Sequence, residues 1–92
     1  MRVVWDPQKA RTNCLKHGVR FSDAEGVLFD PNALSREDRS AEGEIRYVAM
    51  GLDYVGRVVV VVYAPRGTDI RIISARRATR RERNDYAKRI RF

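Results

Sequence analysis

Residues able to hold an anion and move a proton are unevenly spread along this chain. The stretch 71–92, RIISARRATRRERNDYAKRIRF, carries nine of the nineteen Lys+Arg (Arg71, Arg76, Arg77, Arg80, Arg81, Arg83, Lys88, Arg89 and Arg91). It carries two of the twelve acids, Glu82 and Asp85, so it nets 9 − 2 = +7, while residues 1–70 net 10 − 10 = 0. Sixteen of the nineteen cations are Arg. A guanidinium's planar fork matches phosphate oxygens in pairs, which lysine's point charge does not. Arg76, Arg77, Arg80 and Arg81 flank one expected strand-to-helix corner and would repel one another unless something anionic lay between them. Proton transfer near neutrality is the province of histidine, and His17 is the only one. Lys16 precedes it, Glu44 stands two residues before Arg46, and Arg66 lies in a Pro-Arg-Gly turn.

Each of these residues also has a plain structural reading. His17 and Lys16 sit where a helix ends, so they can complement its dipole. Glu44 and Arg46 can form an ordinary ion pair. Arg80, Arg81 and Arg83 can be the solvated face of a helix, with Glu82 pairing to one of them. Cys14 reads as a small core residue and Trp5 as a core aromatic.

The composition bounds the rest. Ninety-two residues make one small domain spanning 1–92. Hydrophobic residues at 43% suffice for a folded core. A pI near 10.3 points to a polyanionic partner, nucleic acid first. One cysteine excludes an internal disulfide and fits a reducing compartment, and one His with one Cys cannot build a structural zinc site. The first residues lack a signal-peptide pattern. The longest apolar run, 58–64, is too short to span a bilayer. The expectation is a soluble, cytoplasmic protein that does not enter membranes.

These side chains need a frame. Residues 3–5 read as a short strand. Asp6 is an N-cap with Pro7 at the first helical position, and the helix should stop at Gly18 after Lys16 and His17. Ala10, Asn13, Cys14 and His17 share one face of it. Ser22-Asp23-Ala24-Glu25 reads as a capping box, opening a short helix with Ala24, Val27 and Leu28 inside and Asp30-Pro31 ending it. Ala33-Leu34 begins an edge strand, and 35–44 reads as a polar loop or frayed hairpin. Residues 45–52 form a strand with Ile45, Tyr47, Ala49 and Gly51 on one face, and 53–56 a turn. Five consecutive valines in 57–63 mark a central strand buried on both faces. Residues 65–69 turn the chain, and 70–77 is the last strand. On a regular strand Arg71, Ile73, Ala75 and Arg77 share one face, and Ile72, Ser74 and Arg76 the other. Arg76 and Arg77 therefore cannot both serve one phosphate, and Arg76 is the better candidate for chemistry. Thr79-Arg80-Arg81-Glu82 is a second capping box, opening a helix that runs through Tyr86 and Ile90. The result is an α+β domain: an antiparallel meander with two N-terminal helices, one C-terminal helix, and helices covering one face.

The chain resembles the BrnT family. The matching residues are Trp5-Asp6-Pro7 with Lys9-Ala10, Asn13, Lys16-His17-Gly18-Val19, Phe21 and Ala24. Next come Glu44-x-Arg46, Gly51, residues 60–63 and Arg66-Gly67. Last are Arg71 to Thr79 (RIISARRAT), Arg81-Glu82-Arg83 and Tyr86. The resemblance covers nearly the full length, and its most specific pieces are Lys-His-Gly and Ile-Ser-Ala-Arg-Arg. It implies a RelE-like fold and a ribonuclease toxin of a type II toxin–antitoxin pair. It also implies RNA cleavage without a metal or other cofactor. A BrnA-like antitoxin encoded beside the toxin would neutralise it by binding. That complex would reach DNA only through the antitoxin.

RNA carries its own nucleophile, the 2′-hydroxyl. Cleavage therefore needs a base for that hydroxyl, an acid for the leaving 5′ oxygen, and cations around the phosphorane. His17, Glu44 and Lys16 are the proton-transfer candidates, with the assignment of base and acid open. Arg46, Arg66 and Arg76 are the catalytic cations. Lys16, Arg77, Arg80 and Arg81 are candidates for holding substrate, and Tyr63, with Tyr86, for stacking on a base. Two rival readings of the same residues are a non-catalytic nucleic-acid-binding domain and a basic surface for an acidic protein partner.

Overall fold

A computed structural model describes residues 1–39 and 43–89. The element order is β1 (Arg2–Val4), α1 (Pro7–His17), α2 (Phe21–Ala24), a 3-10 segment (Glu25–Phe29), β2 (Leu34–Asp38), β3 (Arg46–Leu52), β4 (Val58–Arg66), β5 (Asp69–Arg77) and α3 (Arg80–Arg89). One five-stranded sheet has the order β1-β5-β4-β3-β2. Strands β2 to β5 pair antiparallel, and β1 joins the far edge parallel to β5. This is the expected α+β meander, with the valine strand at its centre. Residues 40–42 of the expected polar loop, and the helix's continuation to Ile90, lie outside the described residues.

One face of the sheet carries the core. Ala49, Val59, Val61, Ile72 and Ala75 meet Val19, Phe21, Ala24 and Val27 from the helical segments, and Trp5 packs edge-to-face on Phe21 at 6.1 Å. The opposite face of the valine strand is partly covered: Val60 is buried, whereas Val58 and Val62 are half-buried. Helices do not all cover one face as expected. The first turn of α3 lies on the second face, where Glu82 bonds Arg76 and lines a hollow with Met50 and Val60. Tyr86 donates to Asp30, which also accepts from the Leu52 N–H at 2.8 Å, so α3 is pinned to the end of β3.

Four local expectations need correction. The Ser22 capping box does not form: α2 begins at Phe21 behind Arg20, without a side-chain cap. Residues Ser35 to Asp38 are strand, because β2 pairs with β3 from Leu34↔Met50 to Asp38↔Arg46. The β4–β5 connection is a two-residue turn rather than 65–69, since Arg66 pairs with Asp69 and Gly67 supplies the positive φ of 61° that such a hairpin needs. Most consequential is β5 itself. Val62 faces Ser74 while Tyr63 faces Ile72, leaving Ile73 as an extra residue. Such a bulge resets the alternation of faces. Ile72 and Ala75 both point into the core, at 1% and 0% exposure.

Candidate functional site

Directly opposed residues on neighbouring strands share a face, so the register sorts the candidates. Arg66, Ala64, Val62 and Val60 alternate along β4, opposite Asp69, Arg71, Ser74 and Arg76. On β3, Val48 and Met50 face Val62 and Val60, and Arg46 lies on the same side by the two-residue period. The face away from the core therefore carries Arg46, Arg66, Arg71, Ser74 and Arg76. The expected parity set Arg71 apart from Arg76; the bulge at Ile73 brings them to one side. Nothing in the local sequence signals that bulge, and Arg71 was therefore missed as a site residue.

Glu44 joins this face from the residue pair before β3. Its Oε2 accepts from Arg46 Nε at 3.0 Å, and its Oε1 accepts from Arg71 Nη2. The hydrogen bond from Arg46, with Arg71 close by, holds the Glu44 carboxyl below the usual range despite some desolvation. Arg71 lies opposite Ala64, which is 0% exposed.

At the other end of the face, Arg76 pairs with Glu82 and stays partly exposed, at 43%. Its Nη1 and Nη2 donate to the two oxygens of Glu82 at 2.8 and 3.0 Å. Glu82 also closes the expected capping box, accepting from the Thr79 N–H at 2.8 Å while its own N–H donates to Thr79 Oγ1 at 3.2 Å. The Arg76 bond, then the cap, brings the Glu82 carboxyl down to about 2. The anion expected between the corner arginines is thus Glu82, and its partner is Arg76 rather than an arginine of its own helix. Arg77 faces Val59 on the core side, exposed at the strand's end, and Arg80 and Arg81 are exposed in the first turn of α3. Tyr63 is on the core face, half-buried and stacked on Tyr47 at 5.6 Å, so it does not join the arginines.

His17 and Lys16 arrive from the side. Helix α1 is set at both ends, by Asp6 accepting from the Gln8 N–H and by Gly18 in the left-handed region at φ 69°. Strand β1 pairs β5 only along Asp69 to Arg71. Beyond it Asn13 meets the strand edge: its Nδ2 donates to Ala75 O at 2.8 Å, and its Oδ1 accepts from the Ala75 N–H at 3.1 Å. A side-chain amide stands where a neighbouring strand's backbone would be. This role was not foreseen, although a polar amide on the helix face shared with Ala10 and Cys14 was its signal.

Between α1 and the β5 edge runs a cleft of about 480 Å³, lined by Lys9, Thr12, Lys16 and His17 from the helix and by Ile73 and Ser74 from the strand. A hollow of about 370 Å³, lined by Trp5, Arg66 and Arg71, meets it at Asp6 and Lys9, which border both. Lys16 and His17 line one end of the run, Lys9 and the Asp6 carboxylate its middle, and Arg66 and Arg71 the other end. Ser74 lies on the arginine face and also lines the cleft, so the two groups of candidates adjoin. Among the described residues, no group of three His, Cys, Asp or Glu is gathered as metal ligands would be.

The family model for BrnT, described as the ribonuclease toxin of a type II toxin–antitoxin system, matches residues 5–82. This chain belongs to the BrnT family of ribonuclease toxins. Among solved structures, it resembles the ribonuclease toxin BrnT of Brucella abortus, solved at 1.1 Å. The two share 28% identity and a TM-score of 0.65, over 87% of this chain and 99% of that one. Among curated proteins none matches. Membership of this BrnT family carries RNA as substrate and an antitoxin as partner. Among the described residues no helix is long and apolar enough to cross a membrane.

Proposed function

We propose that this toxin is a metal-independent endoribonuclease whose scissile linkage lies over Ser74, between the arginine face and the cleft beneath α1. The observation that carries the reading is the position of Ser74. It sits between Arg71 and Arg76 on the face and also lines the cleft that holds Lys16 and His17. The rows of Arg71 and Arg76 are separated by four residues of β4, about 13 Å along the strand. A strand of RNA crossing that span is met by guanidiniums on both sides.

In this reading the 2′-hydroxyl attacks phosphorus, the P–O5′ bond breaks, and the products are a 2′,3′-cyclic phosphate and a 5′-hydroxyl. The 2′-hydroxyl loses one proton and the leaving 5′ oxygen gains one; Lys16 moves one of them and His17 the other. The position of His17 at an exposed helix end, beside Lys16 and open to the cleft, suits proton exchange with substrate and water. Arg46, Arg66 and Arg76 stabilise the negative charge that builds on the phosphorane, the step that fixed donors accelerate most. Arg77, Arg80 and Arg81 meet phosphates further along the strand. A BrnA-like antitoxin from the adjacent reading frame covers this basic face in the cytoplasm. Its DNA-binding domain gives the complex access to DNA.

The test is cleavage of RNA by the purified chain in EDTA. Wild type should cut and leave cyclic phosphate ends. His17→Ala, Arg66→Ala and Arg76→Ala should lose cleavage while keeping most RNA binding. Cutting at the normal rate by all three variants would refute the site; dependence on added metal would refute the mechanism.

A further inference from the structure

We propose that Glu44 is a positioning residue that aims Arg46 and Arg71 together at one RNA phosphate, and that Arg71 touches that phosphate. The proposal rests on the reading of the arginine face as the RNA site and deepens it.

Three observations carry it. First, both oxygens of Glu44 are taken, Oε1 by Arg71 and Oε2 by Arg46. A carboxylate that already accepts from two guanidiniums is a poor acceptor for a substrate proton, and its depressed pKa agrees. Second, the two arginines come from strands on either side of β4; Ala64 is opposite Arg71, and continuing the β3 register one residue past Tyr47↔Tyr63 brings Arg46 to its other side. A methyl group at that position leaves the space above the strand for Glu44 to bridge them. Two flexible guanidiniums are thereby held side by side at a fixed spacing, the arrangement that favours bidentate binding of a phosphate. Third, the cluster keeps an excess of positive charge. Two cations share one Glu44 anion, and Arg66 stands one row further along β4. Of the other acids nearby, Asp69 is paired with Arg2, Glu82 with Arg76, Asp38 sits opposite Arg46 at the outer edge, and Asp6 lines the hollow beside Lys9. Each guanidinium commits one nitrogen to Glu44, and the side chains stay partly exposed, at 22% for Arg71 and 36% for Arg46.

Two measurements on the full chain test this. Binding of a fully 2′-O-methyl single-stranded RNA, which lacks the nucleophile, is followed against salt for wild type, Arg71→Gln and Arg71→Lys. Loss of one phosphate contact should lower the slope of log affinity against log salt by about 0.7 in Arg71→Gln. Arg71→Lys, which keeps the charge, should hold the slope near wild type and report on folding. Single-turnover cleavage is then followed against pH for Glu44→Gln. A positioning role predicts a fall of about tenfold with the shape of the pH profile kept. It also predicts that Glu44→Gln/Arg71→Gln loses less than the product of the single losses. A general base would instead lose about 10²–10⁴-fold together with the acid limb of the profile, which overturns the positioning role. An unchanged salt slope in Arg71→Gln overturns the phosphate contact. If wild type itself fails to cut RNA, the proposed function falls, while the salt slope still decides whether Arg71 meets phosphate.

Discussion

Arg66 and Arg76 present the same charge on the same face, yet removing each has a different consequence. Arg66 is exposed beside the tight turn at Gly67, so Arg66→Ala should change stability by no more than about 0.5 kcal/mol, as surface substitutions usually do. Arg76 holds both oxygens of Glu82. The pair is partly exposed, at 43% and 30%, which solvent screening discounts. Arg76→Ala should then cost about 1 kcal/mol, or roughly 5 °C of melting temperature in a domain this size. Calorimetry on the two variants, alongside cleavage rates, separates lost chemistry from lost fold. An equal melting temperature for both would show that the Arg76–Glu82 pair holds nothing in place. His17 ends α1 at the surface, so His17→Ala should leave melting nearly unchanged while cleavage falls about 10²–10⁴-fold.

At the scale of elements, α1 and α3 are each held by a few polar ties whose loss can be measured. Asn13 is buried at 8% exposure and satisfies both backbone groups of Ala75. Asn13→Leu leaves a buried N–H and C=O without partners, each worth about 1–3 kcal/mol. The variant should lose about 2–4 kcal/mol in denaturant unfolding, and its residual activity should drop because α1 no longer holds Lys16 and His17 along the cleft that Ser74 lines. A stability within 1 kcal/mol of wild type would mean that α1 is held by apolar packing alone. For α3 the tie is Glu82, whose carboxyl is lowered from 4.5 to about 2, first by Arg76. A depressed carboxylate contributes stability that is fully present above its unfolded value and lost as pH falls through its folded one. That window runs from about 4.5 down to about 2. Melting temperature should therefore fall between pH 5 and 3 in wild type, and fall less in Glu82→Gln, which lacks that ionisation. Glu44, Asp30 and Asp69 are depressed as well and add in the same direction. Tyr86 works at the other extreme. Burial and then its bond to Asp30 raise its phenol to about 12. Its contribution is intact below pH 10 and is lost as pH climbs through 12.

For the whole molecule, a net charge of +7 in 92 residues makes the RNA complex salt-dependent. With about four phosphates neutralised on a single strand, affinity should fall about 50-fold between 50 and 200 mM salt. A flat salt response would mean that binding does not run through the arginine face. The family also implies an antitoxin as partner. Expression of the toxin should arrest growth, and the product of the adjacent reading frame should relieve the arrest. An adjacent product that fails to restore growth would remove that frame as the source of the antitoxin.

Much of this was written locally. The Asp6-Pro7 start, the Gly18 stop and the Thr79–Glu82 box depend on contacts within one turn, so the sequence by itself determined where α1 ends and α3 begins. Five valines in a row determined the central strand, because β-branched side chains without alternation suit a strand with neighbours on both sides. Charge counting located the excess of cations in residues 71–92. The tertiary structure alone decided which cations stand together. The bulge at Ile73, read only from the pairing of β5 with β4, turned Arg71 to the side of Arg76. Asn13, bonded to a strand edge 62 residues away, held α1 against β5, so that His17 and Ser74 line one cleft. Glu44 found Arg71 across 27 residues. Pairings at such separations depend on register and on which faces the core claims, and no window along the chain contains both partners.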